Sequence, residues 1–122
     1  MSIALWCVLI AGVLPYLATS IAKSSGDFDN ANPRDWLARQ DGFRRRANAA
    51  QVNGFETFPL FAVSVLVAMA INHAPQQKID MLAIGFVVAR IAYLGLYLAN
   101  LASLRSVAWS IGMICSVAVF FV

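Results

Sequence analysis

Two sets of polar side chains interrupt apolar runs at helical spacing. Arg46, Asn53, Glu56 and Thr57 lead into Val63 to Ile71, which carries no charge, and Arg90, Tyr93, Tyr97 and Asn100 follow three, four and three residues apart in a later run. Spacings of this kind place each set on one face of a helix. A carboxylate or guanidinium at the centre of a bilayer costs about 2.5 to 3.5 kcal/mol, so Glu56 and Arg90 call for partners or a function. With Arg105, three arginines border these stripes, and guanidinium groups suit carboxylates. The chemistry implied is a polar cleft for an anionic ligand. The plainer reading is that tyrosines and asparagines bond between helices as packing contacts.

The elements that must hold these stripes are membrane helices. Of 122 residues 61% are hydrophobic and 12% charged, with mean hydropathy +0.72. Such values exclude an ordinary soluble domain, and the gathering of basic residues in one polar segment reads as a cytoplasmic loop and not as a nucleic-acid surface. The apolar runs are continuous, which excludes the alternation of barrel strands. A span needs about 20 apolar residues, so the chain is one all-α domain of four transmembrane helices, residues 1–122. Cys7 and Cys115 lie in apolar runs and read as small buried residues, with no disulfide framework and no metal site. The first apolar run lacks a basic flank and reaches span length, so it reads as a span and not as a cleaved signal.

In order, span one is expected at about 3–22, with Pro15 as a kink, and a polar loop at 23–46. Asn32-Pro33-Arg34-Asp35 reads as a cap, a first-turn proline and an acidic third position of a short helix. Trp36 and Leu37 on that helix are expected to dip into the membrane surface. Spans two, three and four are expected at about 47–71, 81–101 and 106–122, with Arg105 in the last connection. The first loop carries six basic residues, Lys23, Arg34, Arg39, Arg44, Arg45 and Arg46, against Lys78 alone in the second. The positive-inside rule then puts the long loop in the cytoplasm and both chain ends outside. His73 reads as a solvated residue of the outer turn.

At about 1.5 Å per residue, Arg90 lies roughly 15 Å from the outer mouth and Glu56 roughly 14 Å from the inner one. Both reach mid-membrane on neighbouring helices, so an Arg90–Glu56 ion pair is expected. The two stripes would form a cleft that widens toward the cytoplasm, with Arg46 and Arg105 at its mouth. Small residues four apart, Gly85 with Ala89, Gly95 with Ala99 and Gly112 with Ser116, permit close helix contact.

Ala50 to Phe61, AQVNGFETFPLF, together with Arg90 to Ser106, RIAYLGLYLANLASLRS, resembles the membrane-associated proteins in eicosanoid and glutathione metabolism, the MAPEG family. Asn32 to Trp36, NPRDW, resembles the first loop of its bacterial members. The resemblance implies a homotrimer of four-helix protomers in a bacterial inner membrane, with glutathione bound as co-substrate between protomers. Carried over by position, it implies glutathione binding by Gln51, Asn53 and Glu56 and by Arg90, Tyr93 and Tyr97. It places Arg105 beside the glutathione sulfur as the catalytic residue. A nearby guanidinium favours thiolate over thiol, and the thiolate is the nucleophile. Arg46 is expected to help hold the charged ends of the peptide, because Ala49 replaces an arginine and Thr57 a tyrosine of the leukotriene C4 synthase type.

The function implied is a membrane glutathione transferase, with peroxidase activity as a variant of the same chemistry, acting on a lipophilic small molecule from the bilayer. The alternative is a non-catalytic lipid-binding or scaffolding member, for which the family has a precedent in the five-lipoxygenase-activating protein. A third and weaker reading, a proton-coupled exporter, needs a carboxylate free to titrate.

Overall fold

The computed structural model describes residues 1–71 and 74–122, and every regular element among them is α-helical. His73 lies outside the described residues. The elements are α1 (Ile3–Ala22), α2 (Pro33–Ala38), α3 (Gly42–Ile71), α4 (Gln76–Leu98) and α5 (Ala102–Ala118). Helices α1, α3 and α4 pack against one another, and α5 packs on α4 and α3. The first three are long and apolar enough to cross a membrane, and α5 is a shorter apolar helix of 17 residues, about 26 Å at 1.5 Å per residue. Large apolar side chains such as Leu9, Val13, Leu66, Ile91 and Ile114 point outward. The interior is instead rich in alanine, with Ala4, Ala11, Ala18, Ala50, Ala68 and Ala83 buried. Small inside and large outside is the arrangement of helices that touch each other closely and face lipid.

Pro15 and Gly54 bring α1 and α3 into close contact. A Cβ on Gly54 would meet Pro15 Cγ at 2.8 Å, and one on Gly12 would meet the Phe58 ring at 3.2 Å. The two glycines thus let a proline ring and a phenyl ring fill space that a side chain would occupy. Of the expected small-residue pairs, Gly85 faces Cys115 Sγ and Gly112 faces Phe86, Ala89 and Arg90, whereas nothing lies within 4 Å of a Cβ on Gly95. The first amides of α1 are capped twice: Ser2 Oγ accepts from Leu5 N–H, and Asp80 of α4 accepts from Ala4 N–H at 2.9 Å. A carboxylate there also complements the helix dipole.

The loop before α2 folds through Asp29, whose carboxylate accepts from the Ala31 N–H and from Asn32 Nδ2. Asn32 is the residue before α2, but its side chain is spent on Asp29 and makes no cap. Trp36 and Leu37 do not dip into the membrane surface. They are 4% and 6% exposed, in a cluster with Ala22 and Ala47 that Phe28 and Leu98 close. The reason is that α2 folds back on the ends of α1, α3 and α4, so its apolar face meets protein.

Helix ends differ from the apolar limits because hydrogen bonding does not stop where hydropathy does. Helix α3 starts at Gly42 and includes Arg44, Arg45 and Arg46, and α4 starts at Gln76. At the other end α4 stops at Leu98, so the connection to α5 is Ala99 to Leu101 and Arg105 already belongs to α5. Asn100 is not on the α4 face; it sits in that turn with φ 61°.

Candidate functional site

Arg90, Tyr93, Tyr97 and Arg105 form a ladder of alternating cations and rings along α4 and the start of α5. The Arg90 guanidinium carbon lies 4.1 Å from the Tyr93 ring centroid, the Tyr93 and Tyr97 rings meet edge to face at 5.6 Å, and Arg105 lies 4.2 Å from the Tyr97 centroid. Positive charge over an aromatic face is worth about 0.5 to 2 kcal/mol, more where water is excluded. Tyr93, Tyr97 and Arg105 line a surface groove of about 270 Å³ with Ser106, Trp109 and Ser110. Ligand pockets run from about 300 to 1,000 Å³. One protomer therefore supplies nearly the lower limit.

Arg105 is placed by the first turns of α5, whose preceding residue, Leu101, offers no side-chain cap. Uncapped N–H groups and the positive end of the helix dipole add to the guanidinium's charge.

Arg90 is 6% exposed, and its Nη1 is shielded from solvent with no hydrogen-bond partner among the described residues. It borders a cavity of about 20 Å³ lined also by Pro15, Gly54, Thr57 and Tyr93. That is room for about one water molecule. The expected Arg90–Glu56 ion pair is not formed within the protomer. Glu56 is exposed on α3, whereas Thr57, one residue on, faces Arg90. One helical step turns a side chain by about 100°, so only one of the two neighbours can face α4.

The other α3 residues divide between sides. Asn53 is half-buried, with Oδ1 shielded and accepting no hydrogen bond among the described residues. Arg46 donates from Nε and Nη2 to the Leu98 carbonyl at 3.3 and 3.1 Å. Gln51 faces α1 and α2: its Oε1 accepts from the Thr19 hydroxyl and its Nε2 donates to Asn48 Oδ1 at 2.7 Å. It lines a depression of about 310 Å³ with Arg34, Leu37, Asn48, Val52 and Phe55. Gln51 and Asn53 are two residues apart, so about 200° separates them around the helix.

The structure thus gathers Arg90, Tyr93, Tyr97 and Arg105 and leaves Gln51 on a different face. Sequence reading missed Ser106, Trp109 and Ser110 as groove walls and Arg34 as a basic neighbour of Gln51. Ser106, Trp109 and Ser110 follow Arg105 at helical spacing and were legible in principle once α5 was known to begin before it. Arg34 carried no signal beyond loop charge.

A family model, described as the MAPEG family, matches residues 3–122. The chain belongs to the MAPEG family. Neither the search of curated proteins nor that of solved structures returned a match. The match covers nearly the whole chain and all five helices, so it bears on the helical bundle as a whole. As a MAPEG protein the chain is an integral membrane protein of the class concerned with glutathione-related transfer and eicosanoid metabolism.

Proposed function

We propose that this MAPEG protein is a glutathione transferase of the membrane, with Arg105 holding the glutathione sulfur as thiolate. The observation that carries the reading is the position of Arg105: a guanidinium fixed on a helix start, over Tyr97, at the wall of a groove that opens to the protomer surface. A cation beside a thiol lowers its pKa, and the proton leaves to solvent. The sulfur lone pair then attacks an electrophilic carbon of a lipophilic substrate entering from the bilayer; the carbon–sulfur bond forms as a leaving group departs with its bonding pair, or as a conjugated double bond takes up the pair and then a solvent proton. Tyr93 and Tyr97 orient the peptide, and Arg90 stays as the buried charge behind Tyr93.

The site is completed by a second copy in a homotrimer. Glu56 is exposed and without the expected partner, and Gln51 with Arg34 lies on another face of the same protomer. Two half-sites on different faces of one bundle meet across an interface between copies, where Glu56, Asn53, Gln51 and Arg34 hold the charged ends of glutathione. The basic loop faces the cytoplasm of a bacterial cell membrane, which supplies the reduced peptide.

The test is ultraviolet thiolate absorbance on adding reduced glutathione to the purified protein, with Arg105→Ala alongside. A signal at neutral pH in the parent that is lost in the variant is expected. Equal signals would remove Arg105 from the chemistry. One observation favours a second reading, a lipid-binding protein without turnover. The Thr57 hydroxyl donates to the Gly54 carbonyl at 3.3 Å, so its proton is spent within α3 and is not offered to a ligand. Absence of any glutathione binding heat would select that reading.

A further inference from the structure

The last turn of α4 leaves one carbonyl for another helix to satisfy. Ala99 N–H bonds to Gly95 O, Asn100 N–H to Tyr97 O and Leu101 N–H to Leu96 O, each at 3.0 Å. With Asn100 left-handed at φ 61°, this is a Schellman end, in which the turn closes back on the helix. It accounts for the carbonyls of Gly95, Leu96 and Tyr97 and leaves that of Leu98. Arg46, 52 residues away on α3, takes it with two donors at 3.3 and 3.1 Å. The Leu98 side chain meanwhile packs on the cluster that contains Ala47. Both the carbonyl and the side chain of α4's final residue are therefore held by α3 and its neighbours.

The connection after Leu98 is short. Three residues of turn lead into α5, and the Arg105 N–H bonds to Leu101 O at 2.9 Å. Moving the end of α4 moves the start of α5, and with it the guanidinium over Tyr97. We propose that Arg46 is a positioning residue: it clamps the α4–α5 turn so that Arg105 stays at the groove, and it acts on the sulfur through Arg105 without touching the ligand. The inference rests on the transferase reading above and gives Arg46 a different part from that of a binding residue. The charge of Arg46 also suits a helix C-terminus. Lysine replaces it poorly, since two guanidinium donors converge on one oxygen and an ammonium offers a single nitrogen.

Arg46→Ala and Arg46→Lys are compared with the parent in detergent or nanodiscs by two measurements. The first is glutathione kinetics against pH. A loss of one unit of thiol pKa depression is about tenfold in thiolate at neutral pH, so kcat of Arg46→Ala falls about tenfold there. It returns to within about twofold of the parent near pH 9.5, where a free thiol of pKa about 8.5 ionises unaided. KM for glutathione stays within about twofold, and Arg46→Lys falls between. A raised KM with an unchanged pH profile, in either variant, assigns Arg46 to the ligand and overturns the proposal while leaving the transferase reading intact. The second is amide hydrogen exchange of Ala99 to Arg105, which needs no glutathione. Faster exchange there in Arg46→Ala, with α1 unchanged, is expected. Unchanged exchange in both variants overturns the clamp. If the parent itself forms no thiolate, the transferase reading falls, and exchange alone decides whether Arg46 holds the turn.

Discussion

Arg105 stands over Tyr97, with 4.2 Å between the guanidinium carbon and the ring centroid. Two helices thus meet through a cation and an aromatic face at the point where charge is wanted. Tyr97→Phe keeps the face and is expected to keep the thiolate signal within about twofold. Tyr97→Leu removes about 0.5 to 2 kcal/mol of cation–π attraction, which corresponds to a roughly 2- to 30-fold loss if it all orders Arg105. Equal thiolate absorbance in Tyr97→Leu and the parent would show that the ring does not hold the arginine.

Gly54 against Pro15 is the tightest glycine contact among the described residues, at 2.8 Å for an added Cβ. Gly54→Ala must push α1 from α3 and is expected to destabilise the protomer by about 1 to 3 kcal/mol, the usual range for overpacking. Gly95→Ala is the control, since nothing lies within 4 Å of its Cβ. It is expected to be neutral or to gain up to about 1 kcal/mol of helix propensity. Thermal unfolding in detergent separates the two.

The turn at Asn100 is left-handed, φ 61°. Asn100→Gly is expected to leave stability unchanged. Asn100→Val should lose about 1 to 2 kcal/mol, because a β-branched residue is strained in that region. Thiolate formation should weaken with it, since the same turn carries α5.

Glu56 is exposed on α3. Glu56→Gln should therefore leave helix content and monomer unfolding as they are, and weaken glutathione binding by about 10- to 100-fold, the range for hydrogen bonds to a charged group. Calorimetric titration reads the second effect. An unchanged affinity would mean that Glu56 takes no part in the ligand site.

Asp29 in the first loop is held below the usual carboxylate range by the Asn32 side chain and the Ala31 N–H. A lowered pKa in the folded state stabilises the loop above the ordinary value of about 3.9, and that contribution is lost as pH falls through the lowered value. Exchange of the Ala31 amide, corrected for its intrinsic pH dependence, should lose protection on acidification. Asp29→Asn should remove that dependence.

The sequence by itself determined the membrane class, the all-helical fold and the family, because each rests on local information. Apolar runs of span length leave a chain little choice but helices, and the motifs around Glu56 and Arg90 are contiguous. It also determined that Arg90, Tyr93 and Tyr97 share a face, since helical periodicity alone does that. Which neighbour each polar residue meets was decided only in three dimensions. Periodicity gives an angle around one helix and says nothing of how that helix is rotated against the next. Thr57 therefore faces Arg90 where Glu56 was expected, and Gln51 reaches Thr19. Trp36 is buried because α2 folds back, which no hydropathy value records. Arg46 lies 52 residues from the carbonyl it caps, and only the packing of α3 against the end of α4 brings the two together.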